Sequence, residues 1–292
     1  MKSLLSISNT VKLLALSGLC AGASALAGQS SGQVYLAVGP NYGGSNSMQF
    51  GDGGEFTAVL FSNLVHNGNS VTFTPAGVPA GYAATALGSI AHGESSGYSA
   101  PGGDGGSATD VGDNPFVGIT GFETFCLEDH VDFYVGNYYN YTLGLSVQQA
   151  GTSASNTPIN SLTAGVAFLY QQFAIGHIVL STPTQAGLFQ AAIWYLQGQP
   201  DDANVGNFSP SNPYYLDVLN HMSLTAAQTG LVGSDPYGVE VMELTGPAGS
   251  PSGFGGASQD QLIYVPDTST TAALFALGLA AIGFARRTRQ QA

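Results

Sequence analysis

Two side chains far apart in the chain, Cys126 and Gln190, are the residues whose chemistry is worth weighing first. The sequence has two cysteines, and Cys20 falls in an apolar N-terminal run that reads as a removable leader. Cys126, in Thr124-Phe125-Cys126-Leu127-Glu128-Asp129-His130, is then the one thiol of the exported body. A lone exported thiol has no internal disulfide partner, so it is an intermolecular partner, a small buried apolar residue or a reactive group. Three reactive arrangements are open. A cysteine hydrolase takes its base from His66, His92, His130, His177 or His221, none of which sits in a recognisable motif. A metal site drawn from Cys126, Asp129, His130 and Asp132 offers one thiolate and one imidazole, a thin set for zinc. The third is an internal thioester, in which the Cys126 sulfur joins the side-chain carbonyl carbon of Gln190 and ammonia leaves. The competing account of Gln190 is an ordinary solvated helix glutamine.

The elements that position these residues follow from periodicity. Strand-like alternation at 123–127 sends Thr124, Cys126 and Glu128 to one face and Phe125 and Leu127 to the other. Gln190 lies near the middle of a helix that starts at Thr182-Pro183 and ends at Gln197-Gly198, with Pro at the first helical position. Ala191 and Ala192 leave room for a strand, while Ile193 and Trp194, one turn on from Gln190, would exclude water from a thioester.

Further strands are expected at 33–38, 55–61, 70–74, 116–119, 131–135, 139–145, 238–244 and 261–264. A helix capped by Ser161 or Thr163 carries Val166, Leu169, Tyr170 and Phe173 and ends near Gly176, and another begins near Asn212-Pro213. Strands, three helices, then strands argue for an α+β fold: an antiparallel sheet or small barrel with the helices inserted between strands. The stretch from about 76 to 115 is dominated by Gly, Ser, Ala and Asp and is expected to be an exposed insertion. Its carboxylates, at Asp104, Asp110 and Asp113, make Ca²⁺ a candidate ion, although the spacing fits no EF-hand loop and a solvated acidic linker is favoured. No other cofactor is expected.

Every basic residue is near an end: Lys2, Lys12, Arg286, Arg287 and Arg289. The body, residues 28–264, has no lysine or arginine, which disfavours nucleic acid and anionic lipid and removes the usual clamps for phosphorylated substrates. Residues 1–27 read as a signal peptide, with Ala25-Leu26-Ala27 as the cleavage pattern. Residues 265–292 combine Val265-Pro266-Asp267-Thr268-Ser269, the apolar run Thr271 to Ala285 and a basic end. That run is short for a bilayer span, and the basic residues after it would stay cytoplasmic.

Two resemblances add to this. The tripartite tail resembles the PEP-CTERM class of exosortase sorting signals, closest to the VPDSG variant, with Thr268-Ser269 in place of Ser-Gly. It implies export, an exosortase as partner, a transient C-terminal membrane anchor and a final place in the cell envelope or outside the cell. Thr124-Phe125-Cys126-Leu127-Glu128 with Gln190-Ala191-Ala192-Ile193-Trp194 resembles the signatures of the Cys-Gln thioester domain of bacterial surface adhesins. Gly165-Val166-Ala167-Phe168-Leu169-Tyr170 and Gln259-Asp260-Gln261-Leu262 look like relatives of that domain found in exosortase-tailed proteins. This second resemblance implies a Cys126–Gln190 bond, adhesion to a surface amine or hydroxyl, and no catalytic turnover. The alternative is a structural matrix protein with an unbonded, buried Cys126.

Overall fold

The computed structural model describes residues 31–38, 49–50, 53–67, 70–89, 118–128, 137–152, 156, 158–199, 209–233, 235–246 and 257–266. Among the described residues the strands are β1 (Ser31–Val38), β2 (Gln49–Phe50), β3 (Gly53–Asn67), β4 (Ser70–Pro75), β5 (Leu87–Ser89), β6 (Thr120–Phe125), β7 (Asn137–Gly144), β8 (Ser146–Thr152), β9 (Pro158–Ser161), β10 (Val239–Thr245) and β11 (Ala257–Tyr264). Between β9 and β10 the chain forms helices α1 (Ala164–Ala174), α2 (Pro183–Gln197), α3 (Pro213–His221) and the single turn α4 (Leu224–Ala227).

The main sheet runs β11-β10-β7-β1-β3-β6-β5, with β2 and β4 also on β3, and the pairs are antiparallel. It curls into a half-barrel. Beyond β6, Cys126 bridges Gln261 of β11, and the Leu127 N–H donates to the Asp260 carbonyl at 3.0 Å, so strands far apart in the sheet order meet at a seam. Val34, Leu36, Ala58, Leu60, Phe122, Tyr139, Tyr141, Met242, Leu244 and Ile263 form one buried cluster. Strands from both sides of the sheet contribute to it, as a concave face allows. Side chains of opposite parity, among them Phe125, Leu127, Val241 and Leu262, pack against α1 and α2. Phe125 of β6, Phe173 of α1 and Phe189 of α2 stack with centroids 4.7–5.5 Å apart, fixing both helices over the strand that leads to Cys126.

The helix ends have the local chemistry expected of them. Thr163 caps α1 by accepting from Val166 N, Thr182 caps α2 with Pro183 in its first turn, and Gly198 closes α2 at φ 72°. Asn212 caps α3 through Oδ1 and donates from Nδ2 to the Leu188 carbonyl at 2.7 Å, tying α3 to the middle of α2.

Three expectations need correction. Residues 76–89, expected to begin an exposed insertion, pack against the body: Ala86 is buried, β5 pairs with β6, and Tyr82 stacks on Phe122 at 5.1 Å. Tyr82 accepts from Tyr264 N at 2.7 Å and contacts the Tyr170 hydroxyl at 3.0 Å, while Tyr170 donates to the Glu123 carbonyl at 2.7 Å. Two aromatic hydroxyls thus give a Gly- and Ala-rich stretch its anchor. Second, Gly118-Ile119 is not strand, since Gly118 turns at φ 79° and β6 starts at Thr120. Third, the hairpin β8–β9 occupies 146–161, where no strand was expected. Gln190 is buried, against the competing account of it as a solvated helix glutamine. The expected strand at 131–135 and residues 90–117, with their Ca²⁺ candidates, lie outside the described residues.

At the end of β11, Val265 N–H donates to the Gly238 carbonyl at 2.6 Å. Pro266 packs so closely on Gly81 that a Cβ there would lie 3.0 Å from the proline ring.

Candidate functional site

Pairing between β3 and β6 ends at Glu55↔Phe125. The next residue of β6's run is Cys126, and a side chain supplies the hydrogen bonds a strand would have given it. Cys126 N–H donates to Gln190 Oε1 at 3.1 Å, and Gln190 Nε2 donates to the Cys126 carbonyl at 2.7 Å. Residues 64 apart in sequence are therefore joined at two points.

The thiol itself packs in a small apolar cluster with Phe56 and Trp194. Gln261 Nε2 donates to Sγ at 3.3 Å. Cys126, Gln190, Trp194 and Gln261 are all buried. Trp194 follows Gln190 by one turn of α2, so one helix supplies both the carboxamide and the apolar cover. Ile193 points elsewhere, into the main helix–sheet core, and is not part of the cluster around the sulfur. Trp194 Nε1 is buried with no partner among the described residues.

This arrangement can support acyl chemistry. The Gln190 carbonyl oxygen, which would carry negative charge in a tetrahedral intermediate, already accepts from the N–H of the residue bearing the sulfur. Burial under Trp194 and Phe56 would slow hydrolysis of an acyl–sulfur bond. The same two-point contact also has a purely structural counterpart. Gln197, two turns further along α2, accepts from Thr163 N at 3.1 Å and donates to the Ser161 carbonyl at 2.9 Å, with no cysteine present.

Buried carboxyls flank the thiol on both sides. Glu55, opposite Phe125, has neither carboxyl oxygen bonded among the described residues, and burial pushes it up to about 8. Burial, and then Glu55, raise Glu123 well above the usual carboxylate range, and Thr57 Oγ1 donates to its Oε1 at 2.9 Å. At the seam, Asp260 N–H donates to Glu128 Oε2 at 2.8 Å, and Gln259 Nε2 donates to the Glu128 carbonyl. The Asp260 carboxyl accepts from Gln148 N and Nε2, both at 2.8 Å, and is pushed up to about 9, first by burial and then by Glu128. The body has no lysine or arginine to pair with these groups, and burial favours the protonated form of Glu55, Glu123 and Asp260.

His177 contacts Gln172 Oε1 at 2.8 Å, and His221 contacts the Asp217 carbonyl at 2.8 Å and stacks on Phe168 at 4.7 Å. None of these contacts is with Cys126. Asp129, His130 and Asp132, the partners weighed for a metal site, lie outside the described residues. Among the described residues no group of three or more His, Cys, Asp or Glu is placed to hold a metal ion. Sequence reasoning missed Gln261 as a contact of the sulfur, although it had singled out 259–262, because a strand glutamine carries no signal of where its amide goes.

The tail can be classed directly. Residues 264–289 match the VPDSG-CTERM motif. The chain thus carries a C-terminal sorting signal of the kind that marks exported proteins for exosortase processing. Tyr264, Val265 and Pro266 are its described part, while Asp267, the apolar run Thr271 to Ala285 and the terminal arginines lie outside the described residues, as does the expected signal peptide. Among the described residues no helix is long and apolar enough to cross a membrane. No curated protein and no solved structure matches the chain.

Proposed function

We propose that this is an exported cell-envelope or extracellular-matrix protein, held transiently in the membrane by its C-terminal segment. In this reading the body attaches covalently to a surface amine or hydroxyl through a Cys126–Gln190 thioester. The observation that carries it is the double hydrogen bond between the Gln190 carboxamide and the Cys126 backbone, beside a sulfur buried under Phe56 and Trp194. Bond formation joins Sγ to the Gln190 carbonyl carbon, breaks the C–N bond and releases ammonia, which takes the thiol proton. An arriving amine or hydroxyl would later take the acyl group and return a proton to sulfur. Each molecule would react once, so the protein is not a turnover enzyme. It needs no cofactor for this chemistry.

Intact mass of the purified protein tests it. The wild type should be lighter by one ammonia than its sequence requires, and Cys126→Ala and Gln190→Ala should each abolish the deficit. Incubation with methylamine should add one methylamine at Gln190 and free the thiol. A wild type at its full sequence mass would refute the thioester.

A second reading, a structural matrix protein, is favoured by Gln197, which clamps a backbone in the same way without a thiol. In that case Gln190 is a strand-capping clamp and Cys126 an inert core residue. The tail has its own test: deleting residues 286–292 should impair processing and retention, and normal processing of that truncation would count against recognition by an exosortase.

A further inference from the structure

We infer that Gln261 positions the Cys126 sulfur for acyl transfer, holding it from the facing strand through an amide N–H. This rests on the thioester reading and assigns a further residue to that site. A thiol among apolar groups resists ionisation, and Phe56 and Trp194 make such surroundings here. The Gln261 Nε2–Sγ contact of 3.3 Å works against that resistance, because an N–H donor favours the form with more charge on sulfur.

The amide is also held in place. Gln261 is fully buried on the β11 residue that bridges Cys126, so its backbone is fixed relative to the thiol. On β6, Thr124 Oγ1 donates to the Leu262 carbonyl at 2.6 Å and lies 3.5 Å from Gln261 Oε1. The oxygen end of the amide therefore faces Thr124 and its N–H end faces sulfur. A buried amide is costly unless its polar atoms are used, and this one uses its N–H on the reacting atom.

Both directions of the chemistry pass through that contact. When the bond forms, the S–C bond is made at the Gln190 carbonyl carbon, the oxyanion rests on the Cys126 N–H, the C–N bond breaks, and ammonia leaves with the thiol proton. When a nucleophile enters, its bond to the acyl carbon forms, the C–S bond breaks, and its proton goes to the departing sulfur. In the first direction Sγ is most negative as the thiol gives up its proton, before the S–C bond is made, and in the second as the C–S bond breaks; at both points the Gln261 N–H lies beside it.

The test uses the full-length protein, with methylamine as the nucleophile. Gln261→Leu keeps the bulk and removes the amide. Gln261→Met keeps the length of the side chain and puts a thioether, which has no donor, where the N–H was. Read are the fraction lacking ammonia, the rate of methylamine incorporation by intact mass, and the pH profile of thiol alkylation after aminolysis. Both variants should slow incorporation about tenfold, the worth of one hydrogen bond, and move the alkylation profile to higher pH. A merely structural role would leave that profile in place. Thioester yield, rate and profile equal to wild type in both variants would overturn the role of Gln261 alone. A wild type that retains its ammonia would overturn the thioester reading and this role with it. Should Gln261→Leu fail to fold, the same readouts on Gln261→Met decide.

Discussion

Replacing Asp260 with asparagine should make the protein more stable at pH 8, although a fully buried carboxyl is being removed. Asp260 is pushed up to about 9, against an ordinary value of 3.8, by burial and by Glu128. Folded and unfolded chains both hold its proton below pH 3.8, so the stability it contributes is fully present there. As pH rises the unfolded chain loses the proton first, and stability falls by about 1.4 kcal/mol per pH unit until the folded value is passed. At pH 8 the accumulated loss has a ceiling of about 6 kcal/mol. Relaxation around the newly charged carboxyl and its hydrogen bonds from Gln148 hold the expected loss to about 2–3 kcal/mol. The asparagine oxygen keeps one of the two bonds from Gln148, its amide nitrogen gives up the other, and it has no proton to lose. The assay is urea unfolding of wild type and Asp260→Asn from pH 5 to pH 9. Wild-type stability should decline across that range, Glu55 adding to the slope until about pH 8. The variant should decline less steeply and exceed wild type at pH 8. Parallel curves, or a wild type that gains stability toward pH 8, would refute the reasoning.

Three further substitutions probe the frame around the thiol. Gly88→Ala would put a Cβ 1.7 Å from Glu123 Oε1 and 2.7 Å from Thr57 Oγ1, so the carboxyl must leave its bond to Thr57. A loss of about 1–3 kcal/mol is expected by thermal or denaturant unfolding, and an unchanged midpoint would show that β5 can shift away. Tyr170→Phe leaves the Glu123 carbonyl and the Tyr82 hydroxyl without their shared partner, and should cost about 1–3 kcal/mol in urea unfolding. Gln197→Ala removes both bonds to the 161–163 backbone and should destabilise by a similar ~1–3 kcal/mol, with no effect on the mass deficit at Cys126. A deficit that disappears in Gln197→Ala would mean that the two clamps are not independent.

What could be read from the sequence was mostly what local chemistry determines. Thr182-Pro183 and Gly198 bracket α2 as a cap, a first-turn proline and a left-handed glycine must, and Asn212-Pro213 opens α3 for the same reason. Cys126 and Gln190 could be singled out as a pair from their residue types, and the fold puts the Gln190 carboxamide in hydrogen-bond contact with the Cys126 backbone. Contacts that depend on closure were not legible. The seam between Cys126 and Gln261 joins strands distant in sequence, and nothing in their alternation encodes a partner. Tyr82 was hidden because the composition around it reads as solvated, whereas one aromatic ring with two hydrogen bonds is enough to dock that stretch. The buried acids were hidden too: a glutamate at position 55 or 123 reads as a solvent-facing residue until both faces of the strand are covered.

The sorting motif begins inside the folded body. Val265 is hydrogen-bonded to Gly238 and Pro266 rests on Gly81, so two residues of the address are also the last stitches of the half-barrel. A processing enzyme that reads an extended peptide must either start beyond Pro266 or peel those residues away, which frees the end of the strand carrying Gln261. Completion of folding and accessibility of the tail are thereby linked: a chain whose β11 has not docked offers a longer handle than one whose β11 has.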